Sequence, residues 1–269
     1  MASRPLQPSA RSLISIVAFI LVWELLARAR FVAGSLFPPP SQVLLALGEM
    51  ARSHDRPTAS ELPWLSDLVA DVGVSLWRAL QGWVFGSVAG VIVGLSTGRI
   101  EAAASYIAPI INLFRPLPPV AIIPVIITWF GIGELSKVFS IAFAVFFPVW
   151  INAHVGAQSI PQTYLWSARS LRVTRATTVW KVIFPGALPI IVAGLRTGTA
   201  LAFVMVYVSE LAGASSGIGY EISISHLAYR VDRMLAALAV LGALGATADY
   251  LLVRALHAFF PWLHHASQK

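Results

Sequence analysis

The sequence contains no cysteine and few charged residues. The absence of cysteine among 269 residues excludes a disulfide framework, thiol catalysis and a cysteine-based metal site. Charged side chains make up 12% of the chain, whereas soluble domains carry about 25%, so they are too few to cover a surface in water. We therefore exclude a soluble enzyme, a disordered tail and a collagen-like fibre.

Long apolar runs take the place of the missing charge. Residues 79–98, 116–133, 138–168 and 234–248 contain no Asp, Glu, Lys or Arg. Several of these runs approach the roughly 20 residues that a helix needs to cross the hydrocarbon core of a bilayer. The sequence therefore predicts an all-α polytopic membrane protein, with a single domain over residues 1–269.

Acidic residues are also scarce, at 12 against 19 Lys and Arg, which gives a net charge of +7. The basic residues are scattered along the chain and do not cluster on a soluble face, so we exclude a nucleic-acid partner. In a membrane protein such residues set the topology and contact anionic lipid.

Apolar windows and the residues that interrupt them predict about six transmembrane helices. They cover roughly residues 13–29, 75–97, 102–130, 136–155, 188–208 and 234–257. The first window could instead be a signal peptide, with a small-residue cleavage pattern at residues 27–29. Trp23, Glu24 and Arg28 are poor flanks for cleavage, so we favour a retained helix.

Two of the predicted helices contain a regular glycine spacing or an interrupting group of prolines. Gly82, Gly86, Gly90 and Gly94 recur every fourth residue, which places them on one helix face where another backbone can approach closely. Prolines within residues 116–124 interrupt the third predicted helix. Because proline removes a backbone donor, this helix is expected to kink or break.

The distribution of Lys and Arg predicts the orientation in the membrane. The densest basic cluster lies between the fourth and fifth predicted helices, at residues 169–181. Placing that cluster inside the cell puts both termini in the cytoplasm and makes residues 30–74 an extracytoplasmic loop.

The basic segment between those helices is the most informative part of the chain. Residues 166–171 and 177–183 are short amphipathic stretches separated by polar and basic residues. A helix-turn-helix of this kind suits docking into a groove on another protein. An ordinary basic cytoplasmic loop is the alternative interpretation.

This segment resembles the coupling loop of binding-protein-dependent ABC importer permeases, with the pattern E-A-A-x-x-x-G and, further on, I-x-L-P. The register places Trp166 at the Glu position and Arg172 at the Gly position, and the pattern is matched at Ala168 and Pro185 and conservatively at Val182. Within a cytoplasmic coupling loop over residues 159–186, the resemblance assigns ATPase contact to Trp166, Ser167, Ala168, Arg169, Leu171, Arg172, Thr174, Arg175, Val182 and Pro185.

The two departures from the pattern predict a local change. Glycine adopts positive φ in a tight turn at no cost, whereas arginine does so at a cost. We therefore expect the turn at Arg172 to be rebuilt. We also expect Arg172 or Arg175 to contact acidic residues of a matched ATPase.

Three further stretches narrow the resemblance to one subfamily. Residues 114–137 closely resemble permeases for nitrate, bicarbonate, taurine and aliphatic sulfonates, and residues 37–43 and 209–222 are similar to the same subfamily. The resemblance covers about residues 23–252. It implies the type I ABC importer permease fold, in a bacterial inner membrane.

The resemblance also implies partners and a cargo. Two permease copies, expected as a homodimer, form the pore for a small oxyanion or sulfonate-like solute that an extracytoplasmic binding protein delivers. The resemblance further implies two cytosolic ATPase subunits that carry ATP and Mg. ATP binding is assigned to them because residues 94–99 of this chain lack the spacing and the lysine of a phosphate-binding loop. The chain itself is expected to be non-catalytic, with no cofactor and no metal site.

Polar residues at membrane depth are candidates for the translocation pathway. They are Arg115, Asn152, His154, Arg196, Tyr207, Ser209 and Glu210. For His154 a satisfied buried histidine is the alternative, and Arg196 could instead pair with a neighbour. Glu210 would repel an anion, so gating or structure is expected for it. Arg78 lies near a helix end and could snorkel, but a structural role is expected for it. Asp249 is expected to pair with Arg254 or with a neighbouring helix.

Other functions stay open at this point. The same scaffold could carry a thiamine precursor, a riboflavin-type solute or an aromatic carboxylate. A secondary transporter would need acidic coupling residues and internal repeats. Asp249 is the only candidate for such a coupling residue, and no repeat appears in the sequence. An intramembrane enzyme would need a paired acid-base or metal constellation.

Overall fold

The computed structural model describes residues 10–29, 36–53 and 67–262, and their regular structure is helical throughout. The helices are α1 Ala10–Arg28, α2 Pro40–Met50, α3 Asp67–Arg99, α4 Glu101–Phe114, α5 Ile123–Phe130, α6 Glu134–Gln158, α7 Gln162–Ser170, α8 Arg175–Thr178, α9 Phe184–Leu211, α10 Ile218–Leu227 and α11 Val231–Phe259. A 3₁₀ turn at Pro119–Ile122 precedes α5, and a π turn at Val179–Ile183 precedes α9. Parts of the predicted 30–74 loop, namely residues 30–35 and 54–66, lie outside the described residues.

The all-α prediction is confirmed, and the count of six membrane helices is approximate. Within the described ranges, α3, α6, α11 and the continuous segment Arg175–Leu211 are long and apolar enough to span a bilayer. The pair formed by α4 and Pro119–Phe130 adds a fifth span if it counts as one, and it is bent by 88°. This bend confirms the predicted proline break. In addition, α1 has 19 residues and exposes most of its apolar side chains.

Helix α6 lies at the centre of the bundle, between α3 and α9. Its Val145 and Val149 are fully buried, and Trp150 is nearly so. The glycine face of α3 packs directly on α6, as the four-residue spacing predicts. A Cβ atom on Gly86 would lie 2.5 Å from the carbonyl oxygen of Ala142, so the close approach of these two helices requires glycine.

The two ends of the bundle differ in their ionisable side chains. At one end, here called the carboxylate end, α3 and α6 begin and α9 finishes. This end contains Asp71, Arg78, Glu134 and Glu210. At the other end, here called the loop end, Arg99 closes α3 and donates from Nη2 to the carbonyl of Ile160, 2.9 Å away, just before α7.

Candidate coupling loop and translocation groove

The predicted coupling loop, residues 159–186, contains α7, a tight turn, α8 and the π turn. Helix α7 ends in a Schellman motif, in which the amide of Arg172 donates to the carbonyl of Arg169 (2.9 Å) and the amide of Val173 to that of Ala168 (3.0 Å). Arg172 has φ of +52°. The expectation of a rebuilt turn is therefore wrong, because the left-handed turn persists with arginine at the glycine position. These two hydrogen bonds hold a backbone conformation that costs a non-glycine residue about 1–2 kcal/mol.

Helix α8 leads into α9 without a break. Thr174 caps α8, since its Oγ1 accepts from the amide of Thr177 at 3.2 Å. The π turn then joins α8 to α9, so that Arg175–Leu211 forms one helical segment of 37 residues. Pro185 directly follows this π turn, at the second residue of α9. A displacement of α8 therefore reaches α9 directly.

The loop combines a buried anchor with an exposed tip. Ala168 and Ile183 are buried, and Ile183 packs with Ala153 and Ala187 in a small apolar cluster at the loop end. In contrast, Trp166 is 59% exposed and Leu171 is 76% exposed. An apolar tip surrounded by arginines has the character of a docking surface for another protein.

Two predicted pathway residues are engaged in helix packing. Asn152 donates from Nδ2 to the carbonyl of Pro148 at 2.8 Å. His154 Nδ1 lies 3.0 Å from Thr97 Oγ1, which also accepts from Trp150 Nε1 at 3.1 Å. The His154 contact links α6 to α3, whereas the Asn152 contact lies within α6. For the partly buried His154, this contact favours a satisfied histidine over a pathway role.

Arg196 and Tyr207 line a common groove between α9 and α11, with a volume of about 800 Å³. Asp249 of α11 accepts two hydrogen bonds from the Arg196 guanidinium, at 2.9 and 2.8 Å. Asp249 thus pairs with a neighbouring helix, whereas Arg254 donates to the hydroxyl of Tyr250. The Arg196 and Asp249 side chains remain about half and one third exposed.

The remaining predicted pathway residues lie elsewhere. Arg115 is exposed at the end of α4, beside the bend. The buried Ser209 donates to the carbonyl of Val206 at 3.1 Å within its own helix. Neither residue lines the groove that contains Arg196.

Glu210 belongs to a buried ion cluster at the carboxylate end. Its carboxylate accepts from Ser75 Oγ, Arg78 Nη1 and the amide of Gly219, all at about 2.8 Å. Gly217 has φ of +110°, and a Cβ atom there would lie 2.5 Å from this carboxylate. The expectation of a structural or gating role for Glu210 therefore has a geometric basis.

Arg78 is the centre of that cluster and was not predicted as such. It also donates from Nε to Glu134 (2.6 Å) and from Nη1 to the carbonyl of Ser216 (2.8 Å). Arg78 is only 3% exposed, so it does not snorkel, and its contacts agree with the structural role expected for it. The sequence did show Arg78 as an ionisable residue in a charge-poor segment. It could not identify the partners Glu134 and Glu210, which lie 56 and 132 residues away along the chain.

These features define a multi-pass helical membrane protein with a basic, partly exposed loop joined to a membrane helix. The family model described as "Binding-protein-dependent transport system inner membrane component" matches residues 86–260. The chain belongs to this family, whose members are the permease subunits of ABC transporters. Permease subunits are non-catalytic inner-membrane components, and ATP is hydrolysed by separate partners.

Individual relatives confirm the resemblance to the nitrate, sulfonate and taurine subfamily. The taurine transport system permease protein TauC of Escherichia coli is 32% identical over 251 residues, which are 93% of this chain and 89% of that protein. The aliphatic sulfonates transport permease protein SsuC of Bacillus subtilis is 28% identical, over 89% of this chain and 82% of its own length.

A solved structure shares the fold. A chain of the MetNI methionine ABC transporter, captured in inward-facing conformations, superposes with a TM-score of 0.59 at 24% identity. The superposition covers 71% of this chain and 95% of that one. The type I importer permease fold predicted from the sequence is confirmed.

Proposed function

We propose that this chain forms one subunit of the pore of an ATP-driven importer for a sulfonate-like anion. The observation that carries the proposal is the direct connection between the exposed coupling loop and α9, the helix that lines the groove. Two copies would enclose the pore as a homodimer. Two ATPase subunits carrying ATP and Mg would bind the loop end.

The expected orientation follows from charge. The loop end presents Arg99, Arg169, Arg172 and Arg175, and the positive-inside rule favours the cytoplasm for it. The carboxylate end then faces the binding protein, and both termini lie in the cytoplasm. Anionic lipid would contact the basic side chains at the cytoplasmic surface.

The proposed mechanism is a change of pore opening driven by the coupling loop. ATP binding draws the two ATPase subunits together, and each carries a coupling loop with it. Because α8 continues into α9, the displacement moves the groove wall that contains Arg196 and Tyr207. Net transport results because the ATP-bound and ATP-free states favour opposite openings.

Arg196 is the group that we expect to contact the anion inside the groove. Its guanidinium is half-exposed and held by Asp249, so an anionic solute competes with this carboxylate for the same donors. Since the relatives are named for taurine and aliphatic sulfonates, taurine and a short alkylsulfonate are the first solutes to test.

We predict that Arg196→Gln lowers taurine or alkylsulfonate uptake by about tenfold, the loss expected for one charge-assisted contact. Uptake into proteoliposomes with the ATPase and binding protein measures this effect. Arg254→Gln, an exposed arginine on α11, is the matched control and should transport normally. Asp249→Asn should retain uptake, because it removes only the competitor.

Equal losses in Arg196→Gln and Asp249→Asn would show that the pair is purely structural. Uptake of a thiamine precursor or an aromatic carboxylate instead would overturn the assigned cargo.

A second prediction concerns Arg172. Arg172→Gly should raise the unfolding temperature slightly, because glycine relieves a left-handed conformation that costs arginine about 1 kcal/mol. If the guanidinium contacts the ATPase, stimulated ATPase activity falls although the turn is more stable. Unchanged assembly and unchanged coupled activity would exclude this role of Arg172.

A further inference from the structure

Four arginines surround one cavity at the loop end, between the α3–α4 junction and the coupling loop. The cavity has a volume of about 780 Å³. Its ionisable lining consists of Arg99, Arg169, Arg172, Arg175 and Glu101. With one acid against four bases, the lining carries an excess of three positive charges.

None of these arginines has an acidic partner among the described residues. Arg169, Arg172 and Arg175 form no ion pair, and Glu101 is within 4 Å of none of them. The Nε atom of Arg99 is buried without a hydrogen-bond partner, although its Nη2 donates to the carbonyl of Ile160. Buried donors are normally paired, so this cavity contains unused donor capacity and uncompensated charge.

We propose that this cavity binds a tetrahedral oxyanion, supplied either as a free anion such as phosphate or as the headgroup of an anionic phospholipid. Guanidinium groups present planar pairs of donors that match phosphate and sulfonate oxygens. An anion there would contact Arg99 at the end of α3 and the arginines of the coupling loop together. It would therefore tie the loop to α3 and restrict its movement. The site is independent of the proposed transport function, because binding is measured on the chain itself.

The free-anion arm uses the full chain in nanodiscs of phosphatidylcholine alone. Its unfolding temperature is recorded as sodium phosphate replaces sodium chloride at constant ionic strength. We expect a saturable rise for the unaltered chain. Arg99→Gln should need about ten times more phosphate, the cost of one charge-assisted contact. Arg254→Gln, at an exposed arginine outside the cavity, should respond like the unaltered chain.

The lipid arm uses nanodiscs that also contain phosphatidylglycerol, and native mass spectrometry counts the lipids that stay bound. Retention of phosphatidylglycerol that is lost in Arg99→Gln supports the site and identifies a lipid headgroup as the source. A response to phosphate alone supports it with a free anion. If Arg99→Gln fails to fold, Arg175→Gln takes its place, since Arg175 is exposed and bonds to no side chain of the described residues.

Three results would overturn the proposal. The first is the absence of any response in both arms for the unaltered chain. The second is a response of the arginine variants equal to that of the unaltered chain. The third is an arginine effect confined to recruitment of the ATPase, which would assign the cavity to acidic side chains of that partner.

Discussion

Arg78→Met is expected to lower the free energy of unfolding by about 3–5 kcal/mol, the usual cost of removing one member of a buried ion pair. The substitution removes the only cation seen bonded to Glu210 in the described structure, and the Glu210 side chain is completely buried. It also removes a donor pair from Glu134 and the contact with the carbonyl of Ser216. Thermal unfolding in detergent, followed by tryptophan fluorescence, measures the loss.

The control for this experiment is Arg254→Met, which changes an exposed arginine and should shift stability by no more than about 0.5 kcal/mol. The double variant Arg78→Met/Glu210→Gln should recover part of the lost stability, because the uncompensated carboxylate is gone. Equal stability of Arg78→Met and Arg254→Met would contradict the role assigned to the cluster.

Gly86→Leu is expected to be the most damaging change on the face that α3 presents to α6. A Cβ atom at Gly86 would lie 2.5 Å from the carbonyl oxygen of Ala142 and 2.8 Å from Val145 Cβ. Backbone atoms cannot yield as a flexible side chain does, so the two helices must separate. Overpacking in a well-packed core costs about 1–3 kcal/mol and occasionally more, and we expect the upper end of that range.

Gly73→Leu on the same helix is the matched control, because a Cβ atom at Gly73 has no atom within 4 Å. Removing a glycine from a helix interior is favourable by up to about 1 kcal/mol, so this variant should be as stable as the parent or more so. Size-exclusion profiles and unfolding temperatures of the two variants compare them directly. Similar losses in both would show that the glycine face does not determine the packing of α3 on α6.

Hydropathy predicted the long helices but not their polar ends. Helix α3 begins at Asp67, whereas the hydropathy pattern predicted a start near residue 75. The prediction missed the first turns because they contain buried acidic residues, which lower the local hydropathy. Helix α2 fell in a predicted loop. It is short, and it is stabilised by Val43, Ala46 and Met50 packing into the core, which no local pattern reveals.

In the candidate sites, too, local sequence signals predicted some features, whereas contacts between distant residues could not be predicted. The glycine spacing and the proline break are local signals, and both predictions agree with the structure. The coupling loop was predicted from its resemblance to a family pattern, but the left-handed turn at Arg172 depends on two backbone hydrogen bonds. The pairing of Arg196 with Asp249 and of Arg78 with Glu210 joins residues 53 and 132 positions apart. A single sequence does not contain that information.

The most direct test of the central claim is ATPase activity of the assembled transporter. The chain is purified in nanodiscs with its ATPase, and loaded binding protein is added. We predict that loaded binding protein stimulates ATP hydrolysis, and that Trp166→Ala removes most of the stimulation while Trp77→Ala, with nearly equal side-chain exposure on α3, keeps it. Stimulation that survives in Trp166→Ala, or solute uptake that persists without any ATPase bound, would contradict coupling through this loop.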